Sequence, residues 1–269
     1  PGLQPSYRLM HPLLNTAIAA ARLAARVILM HIDHLDRIEI HSKGRNDFVT
    51  QVDREAEAAI LDVLLKAYPD HGVLAEESGA QSGNDYTWFI DPLDGTTNFI
   101  HGYPQFGISI AVAHQGRIEH GLVFDPLRDE LFTASRGQGA RLNDRRIRVS
   151  RTQHLNRALL GTGFPVHTVE KIDPWLKTFR ALLPKASGIR RAGAATLDLA
   201  HVAAGRFDGF WEMGLKPWDM AAGILLVREA GGLVADFDGG QEFLESGNIV
   251  AANSVLFNEL LRVVHGRSR

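Results

Sequence analysis

The hydrophobic periodicity of this chain changes twice, and the order of those changes restricts its architecture more than any single residue does. Two segments apolar at helical spacing come first, over 11–34 and over 50–68 (TQVDREAEAAILDVLLKAY), the second stopped by Pro69-Asp70-His71-Gly72. A short apolar stretch, 72–75, then leads into Glu76-Glu77-Ser78. From 86 to 149 the pattern becomes strand-like, with turns at 114–116, 125–126 and 142–144, and predicts an antiparallel meander. Beyond Arg151 strands and helices alternate: strand 158–162, helix 173–183, strand 189–191, helix 194–204, strand 207–212, helix 217–230, strands 233–236 and 249–252, helix 254–264. That alternation predicts an α/β half. No repeat, low-complexity tract or long linker divides the chain, so two closely packed halves are expected, 10–150 (α+β, with the antiparallel sheet) and 151–269 (α/β). Residues 1–9, ahead of Met10, read as a cloning remnant.

Composition removes several classes of function. With 269 residues, 45% of them hydrophobic, the chain can bury a large core, and a formal net charge of -2 gives no global attraction to nucleic acid or membrane. Cysteine is absent, which excludes disulfides, thiolate metal sites and a cysteine nucleophile and suits a reducing, cytoplasmic setting. Any metal must be held by oxygen or imidazole. Arg22 and Arg26 interrupt the first apolar segment, so it is expected to pack on the protein's own core rather than cross a bilayer.

The most chemical stretch is WFIDPLDGTTNF, 88–99, in which an apolar strand delivers Asp91 and Asp94 three residues apart and is followed at once by glycine, two hydroxyls and an amide. Pro92 stiffens the mount, Gly95 lets the backbone approach a ligand, and the amides after it suit an anion. A metal and a phosphate are natural occupants. The same turn is equally a strand-to-helix junction with one capping and one solvated acid. Other acids carry similar double readings: Glu76 and Glu77 as loop acids, Asp53 as a favourable first-turn residue, Asp219 after Pro217-Trp218 as a helix cap. Taken together they form the all-oxygen donor set that hard cations such as Mg²⁺ require.

On these motifs the chain resembles the inositol monophosphatase family of lithium-sensitive, magnesium-dependent sugar phosphatases. The matching segments are 88–99, WDMAAGILLVREAGG at 218–232, the acidic pair within AEES at 75–78, and 47–53, in that family's spacing. RRAG at 190–193 and AAGRFDGFWEMGLKPWD at 203–219 point to a bacterial sub-type. The resemblance implies a layered α-β-α-β-α sandwich, two or three Mg²⁺ per site, inhibition by Li⁺, and hydrolysis of inositol monophosphates or similar polyol phosphates by an activated water. It implies that Glu76, Asp91 and the Leu93 carbonyl hold one metal, and that Asp91, Asp94 and Asp219 hold a second. It further implies that Gly95 and Thr96 amides bind phosphate, with Asp94 and Asp219 beside the substrate. Asp53 and the Thr96 hydroxyl would handle the water with help from the metal near Glu76. Arg190, Gly193, Ala195 and Glu212 would contact the sugar. The loop 79–85 is shorter than in animal members and borders the Glu76 metal. The sub-type also implies a homodimer and an alternative role, as a ribosomal RNA antitermination factor that binds Nus proteins and RNA polymerase, with catalysis secondary.

Other signals are weaker. Five arginines within 141–151 read as a solvated edge strand, with Arg146 and Arg148 on one face. Gly137-Gln-Gly139 and Gly161-Thr-Gly163 lack a dinucleotide fingerprint and read as turns. His101 reads as a rim residue, and Ser78 lacks the setting of a serine nucleophile.

Overall fold

The computed structural model describes residues 11–44, 47–165 and 169–266, so the stretch 1–9 lies outside the described residues. Helix α1 (Pro12–His31) starts with His11 as its cap, Nδ1 accepting from the Leu13 amide, and Pro12 at the position where a missing N–H costs nothing. A hairpin follows that the sequence pattern did not reveal, β1 (Ile40–Gly44) with β2 (Asp47–Thr50), and its second strand runs directly into α2 (Gln51–Ala67). Strands β3 (Gly72–Ala75), β4 (Gly79–Gln81) and β5 (Tyr86–Asp94) come next, then the short helix α3 (Thr96–Ile100). The meander comprises β6 (Gly107–His114), β7 (Arg117–Asp125), β8 (Glu130–Ser135), β9 (Gly139–Leu142) and β10 (Arg145–Arg146). The remainder is β11 (Leu159–Thr162), α4 (Ile172–Leu182), β12 (Gly188–Arg190), α5 (Ala195–Ala203), β13 (Gly209–Met213), α6 (Pro217–Glu229), β14 (Gly232–Ala235), α7 (Phe243–Ser246), β15 (Asn248–Asn253) and α8 (Phe257–Val264).

These elements form five layers. An eight-stranded sheet of order β10-β9-β8-β7-β6-β5-β3-β4 is antiparallel except where β3 runs parallel to β5. A five-stranded mixed sheet has the order β12-β11-β13-β15-β14. Residue alternation along each strand decides which layer it feeds. Trp88, Ile90, Ile108 and Leu122 pack against Ala17, Ala21, Ile28 and Ile60 of α1 and α2, whereas Phe89, Ala111 and Val123 face the other way. That second face meets α5 and α6, which in turn cover Phe210, Ile249 and Ala251 of the smaller sheet. Trp211, Val250 and Ala252 point to the outer face, under Leu182 of α4 and Leu260 of α8. The result is the α-β-α-β-α sandwich.

One expectation holds and two change. Pro12–Asp36 is long and apolar enough for a bilayer by length and composition despite its arginines, yet the face bearing Leu13, Ala17, Ala21, Ala24 and Ile28 is buried in the protein's own core. Of the arginine-rich stretch, Arg141 lies in β9 and Arg145 and Arg146 in β10, the edge of the large sheet, whereas Arg148 lies beyond it and shares no strand face with Arg146. Gly161 is inside β11 rather than in a turn, because a side chain there would meet the Phe207 ring.

Helix α6 lies in the middle layer and is buried from Met220 through Val227, which explains why its sequence is apolar all round rather than striped. It approaches α5 through Gly223, where an added Cβ would sit 2.6 Å from Cβ of Leu199. Gly223→Val is therefore expected to overpack this contact and lower stability by about 1–3 kcal/mol, read by chemical denaturation. His201 of α5 packs edge-on to Phe132 and Phe207 with Nε2 buried and unbonded. Burial and the charge of Arg206 lower its pKa to about 4, against weaker opposition from Glu130. Between pH 6.5 and 4 the unfolded chain thus binds a proton that the folded chain refuses, so stability falls as pH drops through that window. His201→Phe is expected to make that fall shallower by up to about 1.4 kcal/mol per pH unit, measured from denaturation curves across the window.

Candidate active site

Strand β5 ends in an irregularity that presents the first two acids. Its antiparallel register with β6 holds through Asp91 opposite Ser109, then slips to Asp94 opposite Gly107. The slip accommodates Pro92 and Leu93 and leaves both carboxylates beside one cleft, with Asp91 Oδ1 accepting the Leu93 amide at 3.1 Å. Gly95 follows at φ +94°, a conformation that favours glycine, and a Cβ there would lie 2.9 Å from the Gln105 carbonyl. The amides at the start of α3 lack carbonyl partners within their own helix.

Asp53 reaches this turn from the first turn of α2. Its Oδ2 accepts the Thr50 amide at 2.8 Å and the Thr50 hydroxyl at 2.6 Å, closing a capping box, while Oδ1 accepts the Thr96 hydroxyl at 2.8 Å. Both readings of Asp53 therefore hold at once: it caps its helix and orients Thr96. Burial raises its pKa, and the Thr50 and Thr96 hydrogen bonds partly offset the rise. One turn further along α2, buried Glu57 accepts the amides of Glu77 and Ser78 at 2.8 Å each. That pair fixes the loop that carries Glu76, whose own amide continues the β3–β5 pairing by donating to Ile90 O. The adjoining short loop contains β4, paired antiparallel to β3.

The second half closes the cleft. Asp94 Oδ2 accepts the amide and hydroxyl of Thr196 on α5, at 2.7 and 2.6 Å, a tie between residues 102 apart in sequence. The Asn98 amide donates to Gln105 O, Ala192 O and Gly193 O and so fastens the β5–α3 turn to the loop before α5. Asp219 opens α6, with Oδ2 on the Lys216 amide at 2.7 Å, and Ser109 Oγ donates to Trp218 O. The cleft so formed has a volume of about 440 Å³, and its lining includes six acids: Glu76, Asp91, Asp94, Asp198, Glu212 and Asp219.

Electrostatics mark this concentration of acids as strained. Burial first, then repulsion from Glu76, Asp94 and Asp219, holds Asp91 well above the ordinary carboxylate range. Burial lifts Asp94 to about 6, opposed by the Thr196 bonds and the Arg191 charge, and burial with Asp94 repulsion lifts Asp219 to about 7. Glu212 and Asp198 are raised strongly as well, chiefly by burial. Arg191 and Lys216 are the cationic side chains in the lining. The donor chemistry fits a hard divalent cation: carboxylate oxygens in excess, short of positive charge, without sulfur or imidazole. Among the described residues, no three acids are already drawn together as a metal cage. One oxygen each of Asp91, Asp94 and Asp219 is engaged by backbone or hydroxyl donors, which fixes the orientation of these carboxylates.

The other expected positions divide. Leu93, Gly95, Thr96, Gly193, Ala195 and Glu212 line the cleft. Arg190 does not; it is exposed, with its guanidinium on the Ile189 carbonyl. Its neighbour Arg191 takes the cleft position and lies 4.7 Å from the centre of the Phe164 ring. Gly163 lies in the lining rather than in a plain turn, since a Cβ there would collide with the Glu212 carboxylate at 1.7 Å. His101 is exposed at the end of α3, and Ser78 serves through its amide on Glu57. The pattern reading also missed Glu57, Thr196 and Asp198. The last carried a signal, a lone acid within the apolar run ATLDLAHVA.

The chain is similar to known proteins over nearly its whole length. The Nus factor SuhB of Pseudomonas aeruginosa is 56% identical over 261 residues, covering 95% of this chain and 96% of that protein. Among solved structures, the extragenic suppressor protein suhB from Bartonella henselae superposes with a TM-score of 0.92 at 45% identity, over 94% of this chain and 98% of that one. The inositol monophosphatase from Anabaena superposes with a TM-score of 0.84 at 39% identity, over 94% and 95%. The model of the inositol monophosphatase family matches residues 9–268, and the chain belongs to that family.

Proposed function

We propose that this chain is a Mg²⁺-dependent phosphatase that hydrolyses inositol monophosphates and similar small polyol phosphates. The observation that carries the reading is the convergence of six carboxylates, contributed by both halves, on one cleft next to the Gly95–Thr96 turn. In this reading Glu76, Asp91 and the Leu93 carbonyl would hold one Mg²⁺, and Asp91, Asp94 and Asp219 would hold a second, for two or three ions per site. Bound Mg²⁺ supplies a lowered pKa for water and neutralises charge developing on the phosphate.

The protein's own groups do the rest. Thr96 donates its hydroxyl proton to Asp53, which leaves its oxygen lone pairs facing a water that attacks phosphorus. Asp53 is buried and its pKa raised, which suits a group that accepts a proton from that water through Thr96. The amides of Gly95 and Thr96 hold the phosphate oxygens. Glu212, seated against Gly163, accepts from sugar hydroxyls, Gly193 and Ala195 contact the sugar, and Arg191 stands at the position expected for Arg190. With Asp91 and Asp94 engaged as ligands, direct attack by water needs no phospho-enzyme.

The test is phosphate release from inositol 1-phosphate, glycerol phosphate, fructose bisphosphate and adenosine bisphosphate, with Mg²⁺ and with added Li⁺. Fastest turnover on the inositol ester, lost in millimolar LiCl, is expected; activity indifferent to both ions would overturn the reading. Asp91→Asn is expected to lower kcat by roughly three orders of magnitude or more while leaving the circular dichroism spectrum unchanged. Thr96→Val is expected to lower kcat with little change in KM, because it removes the link from Asp53 to the water but no phosphate amide.

The similarity to the Pseudomonas Nus factor favours a second role alongside the first. In it the chain, as a cytoplasmic homodimer, joins RNA polymerase and Nus proteins in ribosomal RNA antitermination. Complementation of a deletion strain by the Asp91→Asn protein separates the two roles: rescue is expected if binding is the cellular function, and failure assigns that function to catalysis.

A further inference from the structure

At the far end of α6 from Asp219 lies a second recess of about 400 Å³, formed with the start of β7, the β8–β9 turn and α7. Its floor is apolar, built by Ile118, Ile224, Leu225 and Phe243, all nearly or fully buried. Its rim carries three arginines, Arg117, Arg136 and Arg228. One acid of the lining, Glu245, is set against the three. Arg117 and Arg136 share a single oxygen of Glu119, at 3.4 and 3.1 Å. Arg228 has no carboxylate in ion-pair reach among the described residues: it donates to the Gln241 side-chain carbonyl and lies 5.3 Å from the centre of the Phe243 ring. The adjacent acid, Glu229, is turned away and accepts the amides of Gly137 and Gly139.

A half-buried guanidinium without a carboxylate loses hydration that nothing in the chain fully returns. Burial and the nearby Arg136 charge lower the Arg228 pKa accordingly. Arginine over an aromatic ring beside a dry aliphatic floor is also the composition of a binding hot spot. We propose that this recess docks an acidic peptide segment of a protein partner, with a carboxylate on Arg228 and Arg136 and an adjoining apolar side chain on the Ile118–Leu225–Phe243 floor. A free phosphate would match the arginines and leave most of the 400 Å³ recess unfilled. Nucleic acid needs an extended basic track, whereas these three arginines are confined to one recess. The nine helical steps from Asp219 to Arg228 span roughly 13 Å along the helix, so the proposal stands independently of the phosphatase reading.

Short random peptides displayed on phage are panned on the purified full chain, with the Arg228→Gln protein as counter-selector. Enrichment of peptides that carry Asp or Glu beside an aliphatic or aromatic residue is expected. These should bind the wild type at least about tenfold more tightly than Arg228→Gln, regardless of millimolar inorganic phosphate, while inositol 1-phosphate hydrolysis is the same in both proteins. Arg136→Gln, at a second position on the rim, is expected to weaken the same peptides and keeps the test decisive if Arg228→Gln folds poorly. No enrichment, equal affinity for both variants and wild type, or displacement of the peptides by phosphate or by an RNA oligomer overturns the proposal.

Discussion

Crowding buried acids around one cleft is the condition to which the rest of this structure answers. Each carboxylate taken from water loses hydration, and each neighbour of like charge raises the cost. The fold offsets part of this with fixed donors: Thr50 and Thr96 for Asp53, Leu93 for Asp91, Thr196 for Asp94, Lys216 for Asp219. These bonds leave the acids short of full compensation, as their raised pKa values record. Protonation or a bound cation would each relieve that cost by neutralising charge.

The layered architecture makes this crowding possible. The two sheets share a middle layer, α5 and α6, and both helices begin at the cleft, with Ala195 and Thr196 at one start and Asp219 at the other. The ends of β5 and β13 supply Asp91, Asp94 and Glu212, and α2 brings Asp53 beneath the turn. Because Asp94 is bonded to Thr196 and Asn98 to the Ala192–Gly193 backbone, assembly of the site and docking of the halves are the same event. The acid cluster therefore sits on regular elements with well-packed supports, which suits chemistry that depends on positioning.

Helix α6 links this site to a different kind of surface. Its first turn holds Asp219 among carboxylates, and its last turn places Arg228 among arginines above an apolar floor. Between them the helix is buried from Met220 to Val227, a rigid element in the core. A member of a phosphatase family with a close relative named as a Nus factor thus has room for catalysis and partner binding on separate faces.

Much of this was legible from local pattern. Strand and helix periods located most elements to within a few residues, since alternation and helical spacing are short-range consequences of which face is buried. The hairpin of β1 and β2 escaped because its strands are short and lack an apolar alternation. The acids Asp91, Asp94, Glu76, Asp53 and Asp219 were visible together as an all-oxygen donor set, whereas the role expected of each came from the family resemblance rather than from spacing. Tertiary structure alone decided that Arg191 rather than Arg190 faces the cleft, that Glu57 anchors the Glu76 loop, that Gly163 makes room for Glu212, and that Asp198 joins the acids. The physical reason is range: a motif specifies donors a few residues apart, whereas a cleft is set by packing that brings together residues such as Asp94 and Thr196 from distant parts of the chain, and no local period encodes that distance.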